Sequence, residues 1–159
     1  MTEKLVVVAN DPVKGTDKHH VAGTDKGGNP YAGTGDYAYE GGVTGGLSAF
    51  VRIGGKAVAL VSSTSSLPSE QTAAGGKHDA KQGSGFLPPT ADATTLAFLP
   101  TDLPVGAGTP NARAGSGVLT VGGTKVLLSG DAYDTCGPVK TPAGSTVTAK
   151  GQDFVTCSE

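Results

Sequence analysis

The sequence predicts an all-β fold, a small body of β-hairpins with a thin core and few or no helices. Three observations lead there. No window of a dozen residues places apolar side chains at i, i+3, i+4 and i+7, and Gly or Pro interrupts nearly every candidate helix. Apolar residues instead fall in strand-length packets between turn signals, as in Leu5-Val6-Val7-Val8 and Val126-Leu127-Leu128. An internal repeat then supplies strand, turn and strand twice over.

The repeat is the clearest element. The run from Ser48 to Leu60 lies over the run from Ser116 to Leu128 without a gap, and Ser, both Gly, Val and Leu coincide. Gly54-Gly55 and Gly122-Gly123 sit between the two strands of each copy. Two consecutive glycines provide the positive φ at both central positions that a type I′ hairpin turn requires. A weaker third copy is expected at 144–155, where Ser145, Val147, Gly151 and Val155 fall on Ser116, Val118, Gly122 and Val126. Three hairpins of one design imply a pseudo-threefold body.

Between the hairpins the sequence reads as loops. The stretch 23–46 is Gly-rich and carries Tyr31, Tyr37 and Tyr39, enough for short strands. The stretch 62–85 is polar and reads as a mobile loop. Phe86-Leu87-Pro88-Pro89 and Leu96-Ala97-Phe98-Leu99-Pro100 are short apolar pieces stopped by Pro, which suits edge strands or packed loops. No linker argues a domain boundary, so 1–159 is expected to be a single domain.

Composition limits function. Gly contributes 26 of 159 residues, Trp is absent and the hydrophobic class reaches only 36%, so the apolar area available to offset chain entropy is small. A core this thin calls for a staple such as a metal or a partner. The net charge of −2 is dispersed, with no basic stripe to neutralise phosphates, which argues against nucleic acid as a partner. No apolar run approaches the roughly 20 residues needed to cross a bilayer. The start of the chain lacks the apolar stretch of a secretory signal, so folding in the cytoplasm is expected.

The doubled unit carries a family resemblance. A Ser-x-Val-x-Val-Gly-Gly-x-x-Val-x-Leu hairpin, followed by Ser129-Gly130-Asp131 and then Cys136, resembles the repeating unit of PAAR-repeat proteins. Gly54-Gly55-Lys56-Ala57-Val58-Ala59 and Gly122-Gly123-Thr124-Lys125-Val126-Leu127 occupy the slots of that unit, although neither copy has the Pro-Ala-Ala-Arg that names the family. The resemblance covers 47–64 and 115–137 well and 144–157 loosely. The run Val6-Val7-Val8-Ala9-Asn10-Asp11-Pro12-Val13-Lys14-Gly15 adds a likeness to the PAAR-like tips of phage-tail-like injection particles.

The resemblance implies a small cone of three hairpin units. Its base would cap a trimeric β-helical spike protein, one copy per trimer, as the tip of a contractile injection system. The target cell membrane would be contacted mechanically, and a cargo or effector would be carried by docking, since the chain leaves no room for a fused one. It also implies a structural zinc (Zn2+) near the apex, held by His and Cys side chains. The residues available are His19, His20, His78, Cys136 and Cys157, all in loops or at strand ends. Structural zinc takes four tetrahedral N or S ligands and contributes folding energy directly. One of His19 and His20 with His78, Cys136 and Cys157 would give Cys2His2, and three His with one Cys is the competing set. Adjacent residues of a strand point to opposite faces, so only one of His19 and His20 is expected to ligate. Asp131 and Asp134 are candidates to orient a ligating imidazole.

Enzymatic chemistry finds little support. Gly-x-Ser-x-Gly is absent in a strand-turn-helix context, and Gly83-Ser84-Gly85 and Gly115-Ser116-Gly117 read as turns. No enzyme activity is expected, with a small metallohydrolase the weakest of the readings. The alternative to a piercing tip is a secreted, Gly-rich β-sandwich that binds or adheres, stapled by a Cys136–Cys157 disulfide.

Overall fold

A computed structural model describes residues 2–90, 93–102, 106–135 and 144–159. It is an all-β protein, as the sequence predicts. In chain order the strands begin with β1 (Glu3–Leu5), β2 (Pro12–Asp25), β3 (Pro30–Gly45), β4 (Arg52–Ile53), β5 (Lys56–Ala57), β6 (Thr64–Ser66) and β7 (Ser84–Leu87). They continue with β8 (Ala93–Phe98), β9 (Ala107–Pro110), β10 (Thr120–Val121), β11 (Thr124–Lys125), β12 (Ala132–Thr135), β13 (Ser145–Val147) and β14 (Thr156–Ser158). A single-turn helix, α1 (Ser69–Thr72), lies between β6 and β7.

Three small two-stranded units stand apart from the large sheet. β4 pairs with β5 around Gly54 and Gly55, whose φ values are 57° and 79°. β10 pairs with β11 around Gly122 and Gly123, at 57° and 80°, which is the geometry the Gly-Gly pairs foretell. The third hairpin differs from the expectation. Ser145–Val147 is a strand of the large sheet, and the Gly151 N–H is held by Asp11 Oδ1 at 2.7 Å instead of forming a hairpin tip. The third unit is made by the two ends of the chain, with β14 antiparallel to β1 and Cys157 opposite Lys4. A repeat split across the termini is invisible to a comparison that runs along the chain, and the Gly-rich run 144–155 matched in its place.

Hydrogen bonds establish that the three units are equivalent. Ser48 Oγ accepts from the N–H groups of Phe50 and Val51 at 3.3 and 3.0 Å. Ser116 Oγ does the same for Val118 and Leu119 at 3.1 and 2.9 Å, and Gln152 Oε1 for Phe154 and Val155 at 3.1 and 2.8 Å. Each hairpin leads into an apolar tripeptide, and these three meet in a cycle. The Val7 N–H donates to Leu127 C=O at 3.0 Å, Leu127 N–H to Ala59 C=O at 3.0 Å, and Ala59 N–H to Val7 C=O at 2.9 Å. One turn further on, Asp11 Oδ2, Ser63 Oγ and Asp131 Oδ2 accept from Val8, Leu60 and Leu128 N–H, each at 2.8 Å. Closing the cycle leaves none of these strand edges open.

From that body the chain enters a closed antiparallel ring of six strands, β2–β3–β6–β9–β12–β13, with β13 returning to β2. Its interior holds Val13, Tyr39, Val43, Tyr133 and Val147, packed with Val7, Ala59 and Leu127 of the threefold body. The β2–β3 hairpin outruns the ring and is flanked beyond it by β8 on β2 and β7 on β3. β7 and β8, the two apolar pieces stopped by Pro, are the edge strands of this extension. The stretch 23–46, expected as a loop with short strands, belongs instead to this one long hairpin. Inward Asp17, His19, Tyr37 and Tyr39 hid its period-2 pattern, because alternation is recognised by apolar residues facing in.

The ring closes through a tight approach at Gly15. A Cβ there would lie 1.8 Å from the Gly144 carbonyl oxygen. Gly15→Ala is therefore expected to separate β2 from β13 and to lower stability by about 3 kcal/mol or more. Urea unfolding measures this, and a loss below about 1 kcal/mol would show that the two strands do not approach so closely.

Candidate metal centre

The pleat of β2 sends alternate residues inward, which places Val13, Asp17, His19 and Val21 on one face. His78 comes from the segment between β6 and β7. Its N–H donates to Gln71 C=O at 2.8 Å, and Asp79 turns the chain by accepting from Gly75 N–H at 2.8 Å. Asp17, His19 and His78 are all fully buried and offer one donor atom each within 4.8 Å of one another. His19 Nε2 and His78 Nε2 are 2.9 Å apart, and Asp17 Oδ2 lies 3.3 Å from His78 Nε2 and 3.8 Å from His19 Nε2.

His78 Nδ1–H donates to Ala38 C=O at 2.7 Å, which leaves Nε2 as the nitrogen that faces the cluster. The buried Asp102 carboxylate stands 3.8 Å from His19 Nδ1, on the side of the ring away from the cluster. Asp102 is itself fixed by accepting from His20 N–H at 2.6 Å. Asp17 Oδ1 accepts from the Thr135 hydroxyl, which also contacts Ser145 Oγ at 2.9 Å, while Asp17 Oδ2 makes no hydrogen bond. Burial, and secondarily the neighbouring His78, lower the His19 pKa to about 4 against the opposing pull of Asp17 and Asp102, so this ring is neutral near pH 7. Tyr37 and Phe98 pack on His19 with ring centroids at 5.3 and 4.5 Å and keep the pocket dry.

Two imidazole nitrogens and a carboxylate oxygen without a hydrogen bond thus converge in a buried space. Tetrahedral ligands at the usual zinc–nitrogen distance of about 2.0 Å stand about 3.3 Å apart, and the observed separations bracket that value. The cluster could therefore hold a metal ion. No family model, curated protein or solved structure matches the chain.

Of the five residues singled out from sequence, the structure brings His19 and His78 together. His20 occupies the opposite face of β2, its side chain 41% exposed and its Nδ1 3.3 Å from Asp102 Oδ1. Cys157 lies in β14 within the threefold body, its Sγ 3.2 Å from Ser116 Oγ. Cys136 lies outside the described residues, and with it the Cys136–Cys157 pairing. Asp131 binds the backbone of Leu128 and Gly115, and Asp134 accepts from Asn111 Nδ2, so the acid that faces an imidazole of the cluster is Asp102. Asp17 was missed. Its spacing, one residue before His19 on the same face of a strand, was the available signal.

Proposed function

We infer that this protein is the structural tip of a contractile injection system, capping a trimeric β-helical spike and sharpening it for piercing a target envelope. One observation carries the reading. Phe50, Val118 and Phe154, at equivalent places in the three units, are 89%, 70% and 67% exposed. Each follows by two the residue whose side chain holds that turn, so the three project from matching turns of the hydrogen-bonded cycle. A single chain that offers an apolar side chain at the same place in three equivalent units suits a partner with true threefold symmetry. The PAAR-like sequence pattern points to the same partner.

In this reading the threefold body is the base and the extended hairpin is the point. His19 lies about 25 Å along β2 from Asp11 at roughly 3.3 Å per residue. A zinc held there by His19 and His78 would stiffen a region with little apolar interior, its own core cluster being Val21, Tyr37 and Ala80. Sheath contraction would drive the spike forward, and the rigid end would concentrate the force. The protein acts mechanically and is no enzyme. It would fold in the cytoplasm and then travel with the particle, alone or with a docked cargo.

Mixing the protein with the trimeric spike of its own particle should give one copy per trimer by native mass spectrometry. The combined Phe50→Asp, Val118→Asp and Phe154→Asp variant should lose at least a hundredfold in affinity while keeping the thermal stability of the parent. Unchanged affinity in a folded triple variant would exclude this face as the base.

A further inference from the structure

The segment 67–83 leaves the barrel after β6 and returns at β7; Leu67 at its start packs on the barrel core, and beyond that residue little apolar holds it. Within it only His78 and Ala80 are buried, and α1 buries no residue. Its other ties are polar. Gln71 Nε2 donates to Glu40 C=O at 2.8 Å, Lys77 pairs with the exposed Glu40 carboxylate at 2.9 Å, and the Tyr37 hydroxyl donates to Ala80 C=O at 2.6 Å. Surface ion pairs of this kind contribute little. The deepest anchor of the segment is therefore an imidazole pressed against another imidazole and a carboxylate oxygen that makes no hydrogen bond.

We propose that a divalent ion held jointly by Asp17, His19 and His78 clamps segment 67–83 to the barrel, with Asp17 as its anionic ligand, so that the segment is ordered when metal is bound and loosened when it is removed. This rests on reading the cluster as a metal centre and adds a ligand and a consequence to it. Asp17 is the barrel's side of the clamp, because its second oxygen is held by Thr135 of β12, which contacts Ser145 of β13. His78 is the segment's side. In the metal-free protein the 2.9 Å contact between His19 and His78 is a hydrogen bond while Asp17 Oδ2 makes none, so an ion is what would tie that oxygen to the segment.

Limited trypsin digestion reads the clamp directly, since Lys77 and Lys81 lie in the segment. With zinc added, cleavage after both is expected to slow at least tenfold relative to protein in chelator, while cleavage after Arg52 and Lys56 in the β4–β5 hairpin stays unchanged. Asp17→Asn keeps the size of the side chain and an oxygen for Thr135. It should bind zinc at least tenfold more weakly and lose the protection. Its melting temperature in chelator should equal or exceed that of the parent, and in zinc fall below it. A residue needed only to accept from Thr135 would instead cost the same in both conditions, and failure of the variant to fold in chelator would assign Asp17 that structural role and overturn the proposal. Zinc bound at one per chain with no change at Lys77 and Lys81 would refute the clamp and leave the metal centre standing. Absence of zinc binding by the parent would refute both.

Discussion

Deleting residues 152–159 is expected to unfold the protein at 25 °C. These few residues are one half of a structural unit. They provide the Val155 carbonyl that accepts from Val6 N–H, the Gln152 amide that donates to Val6 C=O at 2.8 Å, and all of β14 opposite β1. Val155 and Cys157 also pack on the cluster of Val6, Val8, Val58, Leu60, Val126 and Leu128. At about 1 kcal/mol for each hydrogen bond, and about 2 kcal/mol for burying a Val side chain, the loss approaches about 5 kcal/mol or more. Natural domains have a net stability of only about 5–15 kcal/mol. The same geometry predicts that the order of the units along the chain is unimportant. A circular permutant that joins Glu159 to Thr2 through Gly-Gly and opens between Gly54 and Gly55 should fold with a melting temperature within a few degrees of the parent. Circular dichroism and a thermal melt decide both cases. A truncated chain that melts like the parent, or a permutant that does not fold, would refute the equivalence of the three units.

That equivalence was partly legible in the sequence. The two internal hairpins were, because Gly-Gly between apolar packets dictates one turn type and both copies are contiguous. The third was not, because its strands are separated by almost the entire chain and the register of β14 on β1 is a tertiary fact. The long β2–β3 hairpin was hidden for a different reason. Its inward positions hold Asp17, His19, Gly35, Tyr37 and Tyr39, a mixture that alternation rules score poorly. Those same positions build the candidate site, so the residues that obscured the strand are those that matter chemically. His19 and His78 were among the candidate metal ligands that the PAAR resemblance, taken with residue type, implies. Their meeting depends on how segment 67–83 folds back over β2, and local sequence says nothing of that. Asp17 is an ordinary acid until β2 is known to be a strand, whereupon its face is fixed by its distance from His19.

Acid should weaken the metal-free protein through His19. The pKa of this ring falls from an ordinary 6.5 to about 4 on folding, mainly because burial disfavours its charged form. Between those values the unfolded chain binds the proton and the folded chain does not, so stability decreases as pH falls. The loss should begin near pH 6.5, grow to about 3 kcal/mol and level off below about pH 4, at roughly 1.4 kcal/mol per pH unit across the window. Urea unfolding in chelator between pH 4 and pH 7.5 tests this. His19→Gln removes the titrating group and should flatten the slope in that window, although it lowers stability at pH 7.5 by disturbing the packing on Phe98 and Tyr37. A slope that survives in the variant would place the acid sensitivity elsewhere. The same neutral ring explains why the site suits a cation. Excluding water keeps His19 neutral, so the burial that makes the metal-free protein vulnerable to acid is also what would let this ring ligate a cation near neutrality.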